Sequence, residues 1–174
     1  ISDIKIVISG AGASGTAVTK LLMLAGARNI TIFDKNAILY KGRNCNDKYL
    51  EELATLTNSQ TKDKTLNEAL NGADVFIGLS VGNLLNAEMI KNMASKSIVF
   101  ALANPIPEIM PKEALSAGAF IVATGRSDFA NQINNSLAFP GLFKGILRYK
   151  IKKVTDEILL ECAFAIASTV KDEE

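Results

Sequence analysis

Five short apolar runs recur along the chain, at Ile4–Ser9, Ile30–Asp34, Val75–Leu79, Ile98–Leu102 and Phe120–Thr124. They are rich in Val, Ile or Phe and apolar at successive rather than alternate positions, the pattern of parallel strands buried on both faces. Helical patterns lie between them. Ala13–Ala25 carries Val18, Leu21, Leu22 and Ala25 at helical spacing and meets Gly26 as a stop signal. Asp47–Leu56 and Thr65–Leu70 are shorter, Asn86–Met93 opens on a capping-type asparagine, and Pro111–Ala117 runs from a starting proline to Gly118. This alternation predicts an α/β fold, a Rossmann-like doubly wound parallel sheet of about five strands, with the expected order 3-2-1-4-5. Beyond Thr124 the pattern changes. Gly125–Pro140 is polar and Asn-rich without a clear period, the mark of a long loop that is either functional or disordered. From Pro140 to Val170 the chain reads as two helices, the second with Ile158, Leu159, Cys162, Ala163, Ile166 and Ala167 as its apolar positions. Residues 1–174 therefore read as a single domain, with a core over 1–140 and C-terminal helices over 140–170.

The first strand runs into Gly10-x-Gly12-x-x-Gly15, and the second ends in Asp34, 19 residues after Gly15. Alone such a glycine pattern is weak; between a strand and a helix, with an acid at that distance, it points to a dinucleotide. Gly10 permits the tight turn, Gly12 admits a pyrophosphate to the backbone, and Gly15 lets helix and strand pack closely. The amides around Ala13, Ser14, Gly15 and Thr16 would face the phosphates at the positive end of the helix dipole. Asp34 is placed to accept from the adenosine ribose and would repel a 2′-phosphate, which favours NAD. Lys35, with Lys41 and Arg43 close behind, adds cations that would tolerate NADP. The alternative readings are a turn that merely joins strand to helix, or a related fold for S-adenosylmethionine.

Ligands in this fold sit at the carboxyl ends of the strands. There the third strand runs into Ser80, Val81 and Gly82, small enough in part to admit a ribose and pyrophosphate. The fourth strand runs into "ANPIPEIMP", which puts Asn104 just beyond the sheet, with Pro105 and Pro107 constraining the backbone. Asn131, Gln132, Asn134 and Asn135 concentrate amides after the fifth strand. Neutral amides suit a hydroxy acid and a carboxamide, since they both donate and accept. They equally suit turns and a cap for the following helix. Arg126 and Asp128 in "GRSDF" read as a structural pair.

Charge and composition narrow the function further. Nineteen basic and 18 acidic side chains are spread along the chain, for a net charge of +1, so no basic block invites nucleic acid or a membrane surface. No apolar run reaches the ~18 residues of a membrane helix. Cys45 and Cys162 stand far apart, as free thiols in a reducing, cytoplasmic setting. The chain opens on Ile1 directly into a strand-like segment, the expected look of a piece of a longer polypeptide without a signal peptide. It has no histidine, the commonest general base. Lys20 and Lys35 lie on the first helix and after the second strand, Glu108 stands alone, and no acidic cluster has the spacing of a Mg2+ site.

Taken together, "VISGAGASG", "IFDKNAILYKGR", "ADVFIGLSVGNLL", "IVFALANPIPEIMP", "IVATGRSDFANQINNSLAFPG" and "EILLECAFAIAS" resemble the NAD(P)-binding domain of malic enzyme, in its bacterial-type, short-chain branch. The resemblance runs from about Ile4 to about Ser168. It implies an oxidoreductase that oxidises L-malate with NAD or NADP and decarboxylates the product to pyruvate and CO2 with Mg2+ or Mn2+. It also implies a homo-oligomer in the complete enzyme. Carried over, the glycine turn with Ala13–Thr16 would hold the pyrophosphate and Asp34 the ribose. Asn104 and Asn134 or Asn135 would lie near nicotinamide and malate. The family's base lysine, acid tyrosine and acidic metal ligands belong to a preceding segment, so no catalytic residue and no metal ligand is assigned in this chain. Two alternatives stand beside this reading: the NAD domain of an amino-acid dehydrogenase, and a non-catalytic module that senses the nucleotide.

Overall fold

The computed structural model describes residues 1–43, 45, 47–57 and 64–170. Five strands form one sheet: β1 (Lys5–Ser9), β2 (Asn29–Phe33), β3 (Val75–Gly78), β4 (Ile98–Ala101) and β5 (Ile121–Thr124). Every pairing is parallel. The helices are α1 (Ala13–Leu24), α2 (Lys48–Leu56), α3 (Leu66–Leu70), α4 (Ala87–Lys91), α5 (Pro111–Ser116), α6 (Phe139–Tyr149) and α7 (Asp156–Ala167), with a 3-10 turn at Asn135–Leu137. Local chemistry sets their starts. Asp47, Asn86 and Thr155 each accept from a backbone amide of the first helical turn, and Thr65 and Glu68 close a reciprocal capping box. Asp47, Thr65, Asn86 and Thr155 each lie one position before the helix they begin.

The apolar runs are the interior of a two-sided core. Val7, Phe76, Val99 and Val122 pack with Leu70, Ile90 and Ile109 on one face. Ile6, Ile8, Ile30, Ile32 and Ile77 pack with Leu53 on the other. Alternate residues of one strand thus serve opposite layers. The second layer stops short of β5, where Phe120 and Ile121 remain exposed. No residue of α6 or α7 is fully buried; of the apolar positions read in α7, Ile158, Leu159, Cys162 and Ile166 are half-buried and Ala163 and Ala167 exposed. Among the described residues, no helix is long and apolar enough to cross a membrane.

The strand order is β2-β1-β3-β4-β5. The doubly wound arrangement is as expected, with the chain leaving β1 to opposite sides for β2 and β3. In the expected 3-2-1-4-5 order the third strand lies outside β2; here it lies beside β1. Two local facts account for the difference. Val75–Gly78 carries no charge and its Phe76 is fully buried, which suits an interior strand. The outer flank of β2 is already occupied by the returning chain: Ile38 bridges Phe33 in antiparallel sense, and the Leu39 amide donates to the Ile32 carbonyl at 2.8 Å.

The register decides where a ligand can sit. Ser9 lies opposite both Phe33 and Gly78, Gly78 opposite Ala101, and Ala101 opposite Thr124. All five strands therefore end at one level, and Gly10, Asp34, Leu79, Leu102 and Gly125 leave the sheet together along its carboxyl rim.

Candidate dinucleotide site

At the centre of the rim, the glycine turn shows three separate uses of a missing side chain. Gly10 has φ +109°, and a Cβ there would stand 2.5 Å from the Leu79 carbonyl oxygen. Its amide continues the ladder by donating to the Phe33 carbonyl at 2.8 Å. A Cβ on Gly15 would overlap the Gly10 carbonyl, so α1 reaches its close seat against β1 only with glycine at this position. Gly12 differs: its backbone is ordinary, and a Cβ there would meet nothing within 4 Å. The space beyond Gly12 is open, and no side chain caps α1. The first-turn amides at Ala13, Ser14 and Gly15 have no partner within the helix by its geometry. They aim into that opening, with Thr16 already bonded back to Gly12 at 2.9 Å.

A groove of about 720 Å³ runs from this turn in both directions, lined by Ser9–Gly12, Asp34–Asn36, Cys45, Asp47, Leu50 and Leu79–Val81 with Leu84. At one end sits Asp34, and the structure binds it more tightly than its spacing suggested. Its Oδ1 accepts from the amides of Asn36 and Ala37, both at 2.8 Å, and from Arg43 at 3.1 Å. Its Oδ2 accepts from Arg43 at 2.9 Å. The pair is nearly buried, with 9% of the Asp34 and 14% of the Arg43 side chain exposed. Burial alone would raise this carboxyl. The Ala37 and Asn36 amides and the Arg43 guanidinium outweigh it and hold the group below the usual carboxylate range. Arg43 also donates to the carbonyls of Ala37 and Ile38. It is thus a committed brace rather than the spare cation its position in the sequence suggested. Lys35 and Lys41 remain exposed.

On the opposite side the loop after β3 approaches the turn. The hydroxyls of Ser80 and Ser9 lie 2.8 Å apart, and a Cβ on Gly82 would stand 2.6 Å from the Ile106 carbonyl oxygen. Val81 is exposed toward the groove mouth. Glu108 is fully buried between the ends of β3 and β4, where its carboxylate accepts from the Ser80 amide at 3.3 Å and the Ala103 amide at 3.0 Å. A Cβ on Gly78 would overlap that carboxyl. In the sequence Glu108 stands alone. The available signal was Gly78, a glycine inside an apolar strand, which marks a close approach by another group.

The asparagines divide. Asn104 is exposed on the rim, its amide against Gly125 at the tip of β5. Arg126 ties the two loops together, donating to the Pro105 carbonyl at 2.9 Å while it pairs with Asp128 at 2.7 Å. Asn131 donates to the Val122 carbonyl, and Asn134 Oδ1 accepts from the Ser136 amide at 2.9 Å, a capping bond. Asn135 is exposed with its amide unengaged among the described residues. Asn104, Asn134 and Asn135 do not line the groove itself. Lys20 pairs with Glu52 on the surface at 3.0 Å. Among the described residues, no three His, Cys, Asp or Glu side chains converge as a metal site would require, so the residues present do not fit a divalent cation.

Comparison with known proteins sets the chain beside malic enzymes. The family model "Malic enzyme, NAD binding domain" matches residues 1–174. The bifunctional malic/malolactic enzyme of Bacillus subtilis is 47% identical over 175 residues, covering 100% of this chain and 43% of that protein. An NAD-dependent malic enzyme of Geobacillus stearothermophilus is 45% identical over 174 residues, covering 100% of this chain and 36% of that protein. The crystal structure of malic enzyme from Pyrococcus horikoshii superposes with a TM-score of 0.89 at 39% identity, over 99% of this chain and 42% of the other. The chain thus spans about two fifths of the length of these two relatives. It belongs to the NAD-binding domain family of malic enzyme.

Proposed function

We propose that the chain is the cofactor domain of a malate-oxidising, decarboxylating enzyme and holds NAD in the groove along the sheet rim. The observation that carries this reading is the open cradle at Gly12, where unpartnered helix amides face a space with no side chain in it. A pyrophosphate fits that cradle by charge as well as by room, since the helix N-terminus carries about half a positive charge. When NAD is bound, its nicotinamide would supply the acceptor for the hydride that leaves the malate carbon.

This chain's own residues bind and orient. Asp34 keeps a free acceptor position on Oδ2 for a ribose hydroxyl of the adenosine, with Lys35 at its edge. Ser80, Val81 and Gly82 form the wall for the second ribose. Asn104, on the rim, would present its amide to the nicotinamide end and to malate, and Asn135, with Asn134 beside it, would meet the substrate from the β5 loop. Such positioning lowers the barrier by holding reactants at contact distance. The base, the acid and the ligands for Mg2+ or Mn2+ fall to the remainder of the enzyme, and pyruvate and CO2 would be its products. The complete enzyme would be a cytoplasmic homo-oligomer, with exposed Phe139, Phe143 and Leu147 of α6 covered by the rest of the assembly.

The test is a fluorescence titration of the chain with NADH, followed by incubation with malate, NAD and Mg2+. Saturable NADH binding without pyruvate formation is expected. Failure to bind, or turnover by the chain alone, refutes the reading.

A further inference from the structure

Glu108 is a fully buried acid with no part in the scheme above. Among the described residues it forms no ion pair, and its two oxygens are met only by the amides of Ser80 and Ala103. Those amides belong to the second residues past β3 and β4 on this rim, one beyond Leu79 and Leu102, whose amides still bond to the neighbouring strands. Ser80 continues into Val81, which lines the groove, and Ala103 into Asn104, which stands exposed on the rim beside it. From Ser80 the connection extends by the 2.8 Å hydroxyl contact to Ser9, the residue before Gly10. The backbone around Glu108 makes the same link a second time. Its carbonyl accepts from Leu85 at 2.9 Å, and the Pro107 carbonyl accepts from Asn83 at 3.0 Å. Gly78 supplies the room, because any side chain there would occupy the carboxyl's place.

We infer that Glu108 is a positioning residue: its buried carboxylate sets the spacing between the Ser80–Gly82 loop and the Ala103–Asn104 turn, and so shapes the nicotinamide half of the groove. An acceptor-only carboxylate is suited to this task, since each oxygen can take one amide and neither can donate wrongly. A neutral glutamine would turn one NH2 group against an amide N–H and push one loop away. The effect would be confined to one end of the groove, because Asp34 and Arg43, which hold the adenosine end, make no contact with Glu108.

The inference rests on the NAD reading, and two ligands separate their failures. The chain, Glu108→Gln and Glu108→Asp are titrated with NADH and with 5′-AMP, which occupies only the adenosine half. The wild-type chain should bind both. Glu108→Gln should lose about tenfold or more in NADH affinity while 5′-AMP affinity stays within about twofold, a difference of about 1.4 kcal/mol confined to the nicotinamide half. Glu108→Asp keeps the charge but is one methylene short of spanning both amides. It should show the same selective loss, and it carries the test if the glutamine variant does not fold. Parallel loss of both ligands, or no loss of either, overturns the positioning role. A wild-type chain that binds neither overturns the NAD reading, and this inference with it.

Discussion

Replacing Asp34 by asparagine removes one negative charge from the adenosine end of the groove while sparing the turn beneath it. The Asn oxygen still accepts from the Asn36 and Ala37 amides, which the carboxylate holds at 2.8 Å. The other position becomes an NH2 group facing the Arg43 guanidinium, which now sits 2.9 Å from Oδ2. Two consequences follow. A ribose hydroxyl loses a charged acceptor, and such bonds are worth about 1.5–3 kcal/mol, so NAD affinity should fall about ten- to a hundredfold. At the same time one arm of Arg43 is released where a 2′-phosphate would arrive, still anchored through the Ala37 and Ile38 carbonyls. The ratio of NADP to NAD affinity should therefore rise by at least tenfold, and the gain should shrink in high salt because the attraction is screened. Asp34→Ala is the poorer probe: it strands Arg43, only 14% exposed, without its partner. Such a loss costs about 3–5 kcal/mol and threatens the fold itself. The assay is calorimetric titration of Asp34→Asn with both nucleotides at two ionic strengths, beside circular dichroism. An intact fold with an unchanged nucleotide ratio would refute the assignment of Asp34 to the ribose.

The remaining predictions probe other parts of the site. Gly12→Asp introduces a favoured cap and a negative charge at the start of α1, so thermal stability should hold or rise slightly. NADH binding should nonetheless be lost, because the new carboxylate fills the open cradle; retained binding in titration would place the phosphates elsewhere. Asn134→Ala should cost about 0.5–1 kcal/mol in denaturant unfolding through its lost capping bond. Asn135→Ala should leave stability alone and raise the malate KM of the complete enzyme; unchanged kinetics would exclude Asn135 from the substrate site. Against the opposing effect of burial, the Ala37 and Asn36 amides and the Arg43 guanidinium hold the Asp34 carboxyl below the usual carboxylate range. Its contribution to stability is fully present above about pH 3.9 and is lost as the pH falls below that toward the folded value. Urea midpoints at pH 5 and pH 3 should thus drop further for the wild type than for Asp34→Asn, and an equal drop would contradict the depressed carboxyl.

Some of this protein was determined within short stretches of chain. Strands buried on both faces must be apolar at successive positions, so the five runs stood out; four contain their observed strand, and β2 begins one residue before its run, at Asn29. Caps were equally local: Asp47, Thr65 and Asn86 each bond to an amide two or three residues on. The glycine turn was legible for the same reason, since Gly10, Gly12 and Gly15 solve a steric problem posed by their immediate neighbours. What tertiary structure alone decided is contact between segments far apart in sequence or not fixed by any period. Apolar patterning says that Val75–Gly78 is buried but not beside which strand, and the return of the chain at Ile38 decided that by covering β2. Arg43 looked like a free cation until folding turned it onto Asp34. Glu108 looked idle until two strand ends delivered their unpaired amides to it, 28 and 5 residues away, through a space that Gly78 leaves empty. Local sterics and capping act over a few residues and leave their mark in sequence. Neutralising a buried charge or amide depends on which segments the sheet brings together, and that is known only once the sheet has formed.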